Sequence, residues 1–97
     1  MAEIRWSEES LRWLEDIYEY VSLDEPLAAS RIVQGIYDRA QDVLAYPEIG
    51  YRYTTSNRHI RILLYGHYRM AYLVNDDGDI DILGIFHSAL DITRYQL

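Results

Sequence analysis

A chain of 97 residues, 49% of them hydrophobic, has room for a single domain (1–97) with one modest core. It has no cysteine, which removes disulfides and thiolate metal sites, and no apolar run approaches the roughly 18 residues of a membrane span. A net charge of −7 argues against a protein that holds nucleic acid through its overall field, since phosphate binding needs a basic face that releases counterions.

In chain order, Ile4-Arg5-Trp6 alternates as a short strand, and Ser7-Glu8-Glu9 supplies an N-cap followed by acids in a first helical turn. Leu11, Leu14, Ile17, Tyr18 and Val21 then recur at spacings of three and four, which predicts a helix over 8–22 with Arg12, Glu15, Asp16 and Glu19 on its other face. Asp24-Glu25-Pro26 stops that helix and starts a second, whose period runs from Ala29 to Leu44 and ends at Tyr46-Pro47. So short a connection makes the pair an antiparallel hairpin.

After Pro47 the period changes. Glu48-Ile49-Gly50 reads as a turn and Thr54 to Asn57 as a loop or weak strand edge. Three alternating runs follow, around Ile60–Leu64, Tyr68–Val74 and Ile80–Phe86, separated by turns near Tyr65-Gly66 and Asp76-Asp77-Gly78. The expected fold class is α+β, with an N-terminal strand and helical hairpin packed on a small twisted antiparallel sheet.

All nine basic residues are arginines, which suit bidentate pairing with carboxylate or phosphate and cannot serve as general bases. With the first turn centred on Tyr65-Gly66, Arg61 lies opposite Met70 and Arg69 opposite a residue between Gly84 and Phe86, so Arg61, Arg69 and His87 can meet near one end of the sheet if register gives them one face. Two arginine forks beside a histidine suit a phosphodiester, neutralising its charge and moving a proton. The structural alternative is that Arg61 and Arg69 pair with carboxylates and His87 caps Ser88–Asp91. His59 and His67, each beside a turn, are second-rank candidates. No histidine lies on a helix at ligand spacing, so no metal site and no cofactor are expected. Most of the ten tyrosines are expected to pack in or beside the core.

Ile4-Arg5-Trp6-Ser7, Leu14-Glu15-Asp16-Ile17-Tyr18-Glu19-Tyr20, Pro26 with Ala28-Ala29, Tyr46-Pro47-Glu48-Ile49-Gly50, Arg61 seven residues ahead of Tyr68-Arg69, Ala71-Tyr72, and Ile85-Phe86-His87 with Asp91 stand in an order and spacing that resembles the RelE/ParE toxin superfamily, above all its ParE-like, plasmid-stabilisation branch. The resemblance implies a growth-inhibiting toxin in the cytoplasm, held by a cognate antitoxin that folds over the helical hairpin or the sheet edge, alone or within a larger oligomer. Exposed apolar area around Trp6, Trp13 and Tyr20 is then an interface, with burial the competing reading for Trp6. ParE-like members poison DNA gyrase; RelE-like members cut mRNA on the ribosome through basic and acid/base residues. The acidic, lysine-free composition and the Tyr-Pro-x-x-Gly and His-x-x-x-Asp patterns favour the gyrase inhibitor. Arg61, Arg69, His87 and the late Tyr95 are the kinds of residue the endoribonuclease would use. The commoner pattern has an arginine just before the aspartate where this chain has Leu90-Asp91, which leaves a non-toxic interaction module as a third reading.

Overall fold

In the computed structural model, which describes residues 2–95 and 97, the order is β1 (Ile4–Trp6), α1 (Glu8–Ser22), α2 (Pro26–Ala45), β2 (Tyr51–Arg52), β3 (Ile60–Tyr65), β4 (Tyr68–Val74) and β5 (Ile80–His87), closed by a single 3-10 turn at Ile92–Arg94. Both helices have the bounds that period and punctuation predict. Ser7 caps α1, its hydroxyl accepting from the Ser10 amide at 3.0 Å, and the buried Ser10 hydroxyl donates to the Ser7 carbonyl at 2.8 Å. Pro26 opens α2 in the first turn, where a missing N–H costs nothing.

The apolar stripe of α1 is rotated from its expected place. Ser10, Leu14 and Ile17 are buried, whereas Leu11 and Tyr18 lie about half exposed. Capping turns Ser10 inward, and the stripe that follows it at helical spacing is Leu14, Ile17 and Val21.

The five strands form one sheet in the order β1-β5-β4-β3-β2. It is mixed rather than antiparallel: β1 runs parallel to β5, with Arg5 opposite Asp81, because the helical hairpin carries the chain across the sheet before the meander starts. The β2 strand, two residues long, pairs Arg52 with Arg61 and has too little alternation to be read from sequence. Between β3 and β4 the turn residues are Gly66 and His67, with Gly66 at φ 55°, the positive value a type II′ turn needs at its first central position. This centre lies one residue later than expected, so Arg61 stands opposite Tyr72, not Met70. The Asn75–Asp79 loop closes on itself through the Asn75 amide and Asp79 carbonyl at 2.9 Å, with Gly78 at φ 94°.

Apolar side chains fill both faces of the sheet. Under the helices lie Leu14, Ile17, Ile36, Val43, Leu63, Met70, Tyr72, Ile82 and Ile85. The other face holds Tyr53, Ile60, Ile62, Ala71, Phe86 and Ile92, with Tyr95 and Leu97 packed against them. The second core comes from strand residues of opposite parity and from the C-terminal segment folding back over them.

Arg5 fastens β1 to its neighbour, with Nε 2.8 Å from Asp81 and Nη1 2.9 Å from Asp79. The Arg5 hydrogen bond, and after it that from Asn75, holds the Asp81 carboxyl below its ordinary value of 3.8. A carboxyl depressed in the folded state adds stability above its unfolded pKa and loses it as pH falls through the folded one. The melting temperature should therefore fall on acidification below about pH 4, and Asp81→Asn should flatten that fall at a cost below about 1 kcal/mol near neutrality. Equal acid limbs in thermal melts of the two proteins would contradict this role for Asp81.

Candidate functional site

The connection from α2 into the sheet is built around a turn, Pro47 to Gly50, tied down by neighbouring strands. Tyr72, wholly buried on β4, donates its hydroxyl proton to the Pro47 carbonyl at 2.7 Å and accepts from the Gly50 amide at 3.0 Å. Its cross-strand partner Arg61 donates from Nη1 to the Gly50 carbonyl at 2.6 Å and more weakly to that of Glu48 at 3.4 Å. Burial pushes the Tyr72 phenol above its ordinary pKa and favours the neutral form that can donate. Two strands thus read the backbone of the Tyr46-Pro47-Glu48-Ile49-Gly50 segment, and that motif acts here as a structural lock.

Arg69 does related work at the other end of the sheet. Its Nη2 donates to the Leu90 carbonyl at 2.5 Å and lies 3.5 Å from that of Ser88, fastening the chain that leaves β5. Neither Arg61 nor Arg69 forms an ion pair among the described residues, so the expected carboxylate pairing gives way to main-chain carbonyls. Each leaves a buried Nε without a hydrogen-bond partner there.

The three residues expected to cluster do not. Arg61 shares a face with Tyr72, under the helices. Arg69 lies opposite Leu64 and Phe86, on the face of Ala71 and the second core. Strand parity alone separates the arginines, because 61 and 69 sit opposite residues of unlike face. His87 pairs with Tyr68, on the face of Arg61 but four β4 positions away, or about 13 Å at the usual rise.

His87 is exposed, and its Nδ1 accepts from the Ala89 amide at 3.1 Å, the capping contact foreseen as the alternative. His67 stacks on it at 6.2 Å, while the exposed His59 lies just ahead of β3 at the far end of the sheet. Tyr95 packs edge-on against Trp13 at 5.7 Å and lies 4.8 Å from Phe86, holding the C-terminal segment on the second core. No metal-binding group of three ligands occurs among the described residues.

One of the concavities lies between α1 and the ends of β4 and β5. An open groove of about 380 Å³ has Trp13, Ile17 and Tyr20 on one wall and Tyr68 and His87 on the other, with Asp16 on its margin. Tyr20 is 77% exposed. Trp13 is half-buried between both cores, and Trp6 stacks on Tyr37 at 5.8 Å, so of the three aromatics expected at an interface only Tyr20 is largely free. Five of the ten tyrosines are exposed, namely Tyr18, Tyr20, Tyr37, Tyr46 and Tyr51, more than a core role accounts for.

Charge is segregated as well. Residues 7–48 carry ten carboxylates against three arginines, the whole net charge of −7, while residues 49–97 carry five of each and the first six residues one of each. The helical layer is therefore acidic and the sheet neutral. Composition reported the total; only the fold shows that it sits on one layer.

A helical hairpin laid over a five-stranded mixed sheet defines a small α+β protein. The sequence model of the ParE toxin of type II toxin-antitoxin systems matches residues 4–92, and the chain belongs to that family. It is 29% identical to Putative toxin Y4kP of Sinorhizobium fredii over 85 residues, covering 88% of this chain and 86% of that one. Among solved structures, its fold is similar to that of a chain in the chromosomal ParDE toxin-antitoxin system of P. aeruginosa, with a TM-score of 0.74 at 23% identity over 90% of this chain and 96% of that one. A chain of the RelBE2 toxin-antitoxin complex of Mycobacterium tuberculosis is similar at a TM-score of 0.60 and 18% identity, over 89% and 96%.

Proposed function

We propose that this toxin inhibits growth by binding DNA gyrase and is silenced by a cognate antitoxin. The observation that supports an inhibitor over an mRNA endoribonuclease is the separation of Arg61, Arg69 and His87. Phosphodiester cleavage needs charge neutralisation and proton transfer converging within about 3 Å of the reacting atoms. Here the two guanidiniums bond to backbone on opposite faces, and the groove beside His87 is lined by a carboxylate with no arginine. In this reading Arg61 and Arg69 are positioning residues for the loops at 47–50 and 88–90, and Tyr95 is a packing residue.

The antitoxin half of the proposal rests on family membership and on the surface of the hairpin. Leu23 and Leu27 at its tip are 83% and 78% exposed, and they lie near Tyr20 in sequence. Apolar side chains left so open on a small domain are the material of an interface.

Induced expression of the chain alone is expected to arrest growth, and co-expression of the polypeptide encoded beside it to restore growth. Normal growth with abundant, soluble, folded protein would remove the toxin reading and leave an interaction module.

A further inference from the structure

Charge within the sheet half of the chain is divided a second time. Residues 49–75 carry Arg52, Arg58, Arg61 and Arg69 with no carboxylate among them, and the carboxylates of that half, Asp76, Asp77, Asp79, Asp81 and Asp91, all come later. Folding brings two of these arginines together: Arg52 on β2 stands directly opposite Arg61 on β3. Side chains so paired share a face with their Cβ atoms about 5 Å apart, where like charges repel. Neither guanidinium forms an ion pair among the described residues, although the chain has sixteen carboxylates to offer. Arg61 commits Nη1 to the Glu48 and Gly50 carbonyls, which fixes its fork in place. Arg52 is exposed on the edge strand of the sheet. His59, also exposed, is held at the same end by the Val74 amide, which donates to its carbonyl at 3.0 Å, and it lines a hollow with Tyr46, Pro47 and Glu48.

Resting on the gyrase reading, we propose that Arg52 and Arg61 form an anion site for a phosphate of the DNA that gyrase holds, so that the toxin grips enzyme and DNA together. Two guanidiniums on one face bring the donors and the charge that the unesterified oxygens of a phosphodiester accept. The occupant also relieves the repulsion that folding builds between β2 and β3. Charge complementarity favours a polyanion over a single acidic side chain, because the acid-free run extends over three neighbouring strands, β2, β3 and β4. A net charge of −7 gives the chain no general attraction to DNA, so the contact forms only once gyrase has placed DNA beside the toxin. At physiological salt the acidic helical layer is screened beyond about 8 Å, and a local phosphate contact survives it.

The test is a binding titration of the purified chain, and of its Arg52→Gln and Arg52→Glu variants, against bare gyrase and against gyrase loaded with a linear DNA duplex, each over a series of salt concentrations. Arg52 is exposed and its charge opposes that of Arg61, so both variants should melt at or above the temperature of the parent chain. The parent is expected to bind loaded gyrase about tenfold or more tightly than the bare enzyme. Arg52→Gln should lose most of that gain and reduce the slope of log affinity against log salt by about one, and Arg52→Glu should lose all of it. Both variants should bind bare gyrase as the parent does. Equal affinity of the parent for bare and loaded gyrase, or a loss in the variants that is the same for both, would overturn the phosphate contact and leave the gyrase reading standing. Absence of binding by the parent to either form would remove the gyrase reading, and the proposal with it. A parallel titration with the polypeptide encoded by the adjoining reading frame separates a protein occupant. Weaker binding of that polypeptide by Arg52→Glu, with the gain on loaded gyrase retained, would assign the arginine pair to an acidic protein segment and overturn its assignment to DNA.

Discussion

Replacing Gly50 with alanine is expected to destabilise the protein by about 3 kcal/mol, among the largest effects of any single methyl group in this chain. A Cβ at that position would lie 2.7 Å from the Ile62 carbonyl oxygen and 2.9 Å from both the Ile62 carbonyl carbon and the Tyr72 hydroxyl. Two of those atoms belong to backbone in the middle of β3, which cannot withdraw as a flexible side chain does. The third is the hydroxyl that links Pro47 to Gly50. Gly50 does not have positive φ, so the penalty is steric, and elsewhere the same change would be stabilising by roughly 0.4–1 kcal/mol through the unfolded chain. Gly66 provides the contrast: it has φ 55° and open space around it, so alanine there should cost only about 1 kcal/mol. Urea denaturation of the two variants separates the cases. A Gly50→Ala protein as stable as its parent would contradict the lock at the 47–50 turn.

Phe86→Ala is the second large effect, expected at about 3–5 kcal/mol. Phe86 is 1% exposed and centres the second core, its ring 5.0 Å from Trp13 and 4.8 Å from Tyr95. It also lies across Gly84, where a Cβ would stand 2.6 Å from the ring. The strand was shaped for this ring, with Leu83 inserted as an extra residue between the pairs Ala71–Gly84 and Tyr72–Ile82. Removing it opens a void and also releases Tyr95, so the C-terminal segment should loosen first. Faster hydrogen exchange at residues 92–95 than on β4 would report that order; uniform exchange through both would count against the segment being held by Phe86.

What was legible in the sequence follows from how local each signal is. The helices and their approximate bounds were readable because a cap, a proline and a 3.6-residue period all lie within the segment they describe. The alternating strands β3, β4 and β5 were readable for the same reason. The parallel placement of β1 was not, since its partner strand lies some 76 positions further along the chain. Nor was the rotation of α1 that exposes Leu11, which follows from the buried hydroxyl of Ser10.

The candidate site was legible as residues but not as geometry. Arg61, Arg69 and His87 stand on the strands where alternation put them, yet the parity of 61 against 69 sets the arginines on different faces, and His87 lies at the other end of the sheet from Arg61. Tyr72 carried no signal of its role as a hydroxyl bridge, because its partners come from a loop 22 and 25 residues earlier. Asp16 looked like any acid on a solvated helix face, and only the fold places it at the margin of a groove.

Whether this ParE-family toxin binds gyrase or cuts RNA is decided with the purified chain. It would be added to DNA gyrase with relaxed plasmid and, in parallel, to ribosomes programmed with mRNA. Loss of supercoiling with intact message is expected, and loss that the cognate antitoxin reverses. Cleaved message with supercoiling untouched would contradict it.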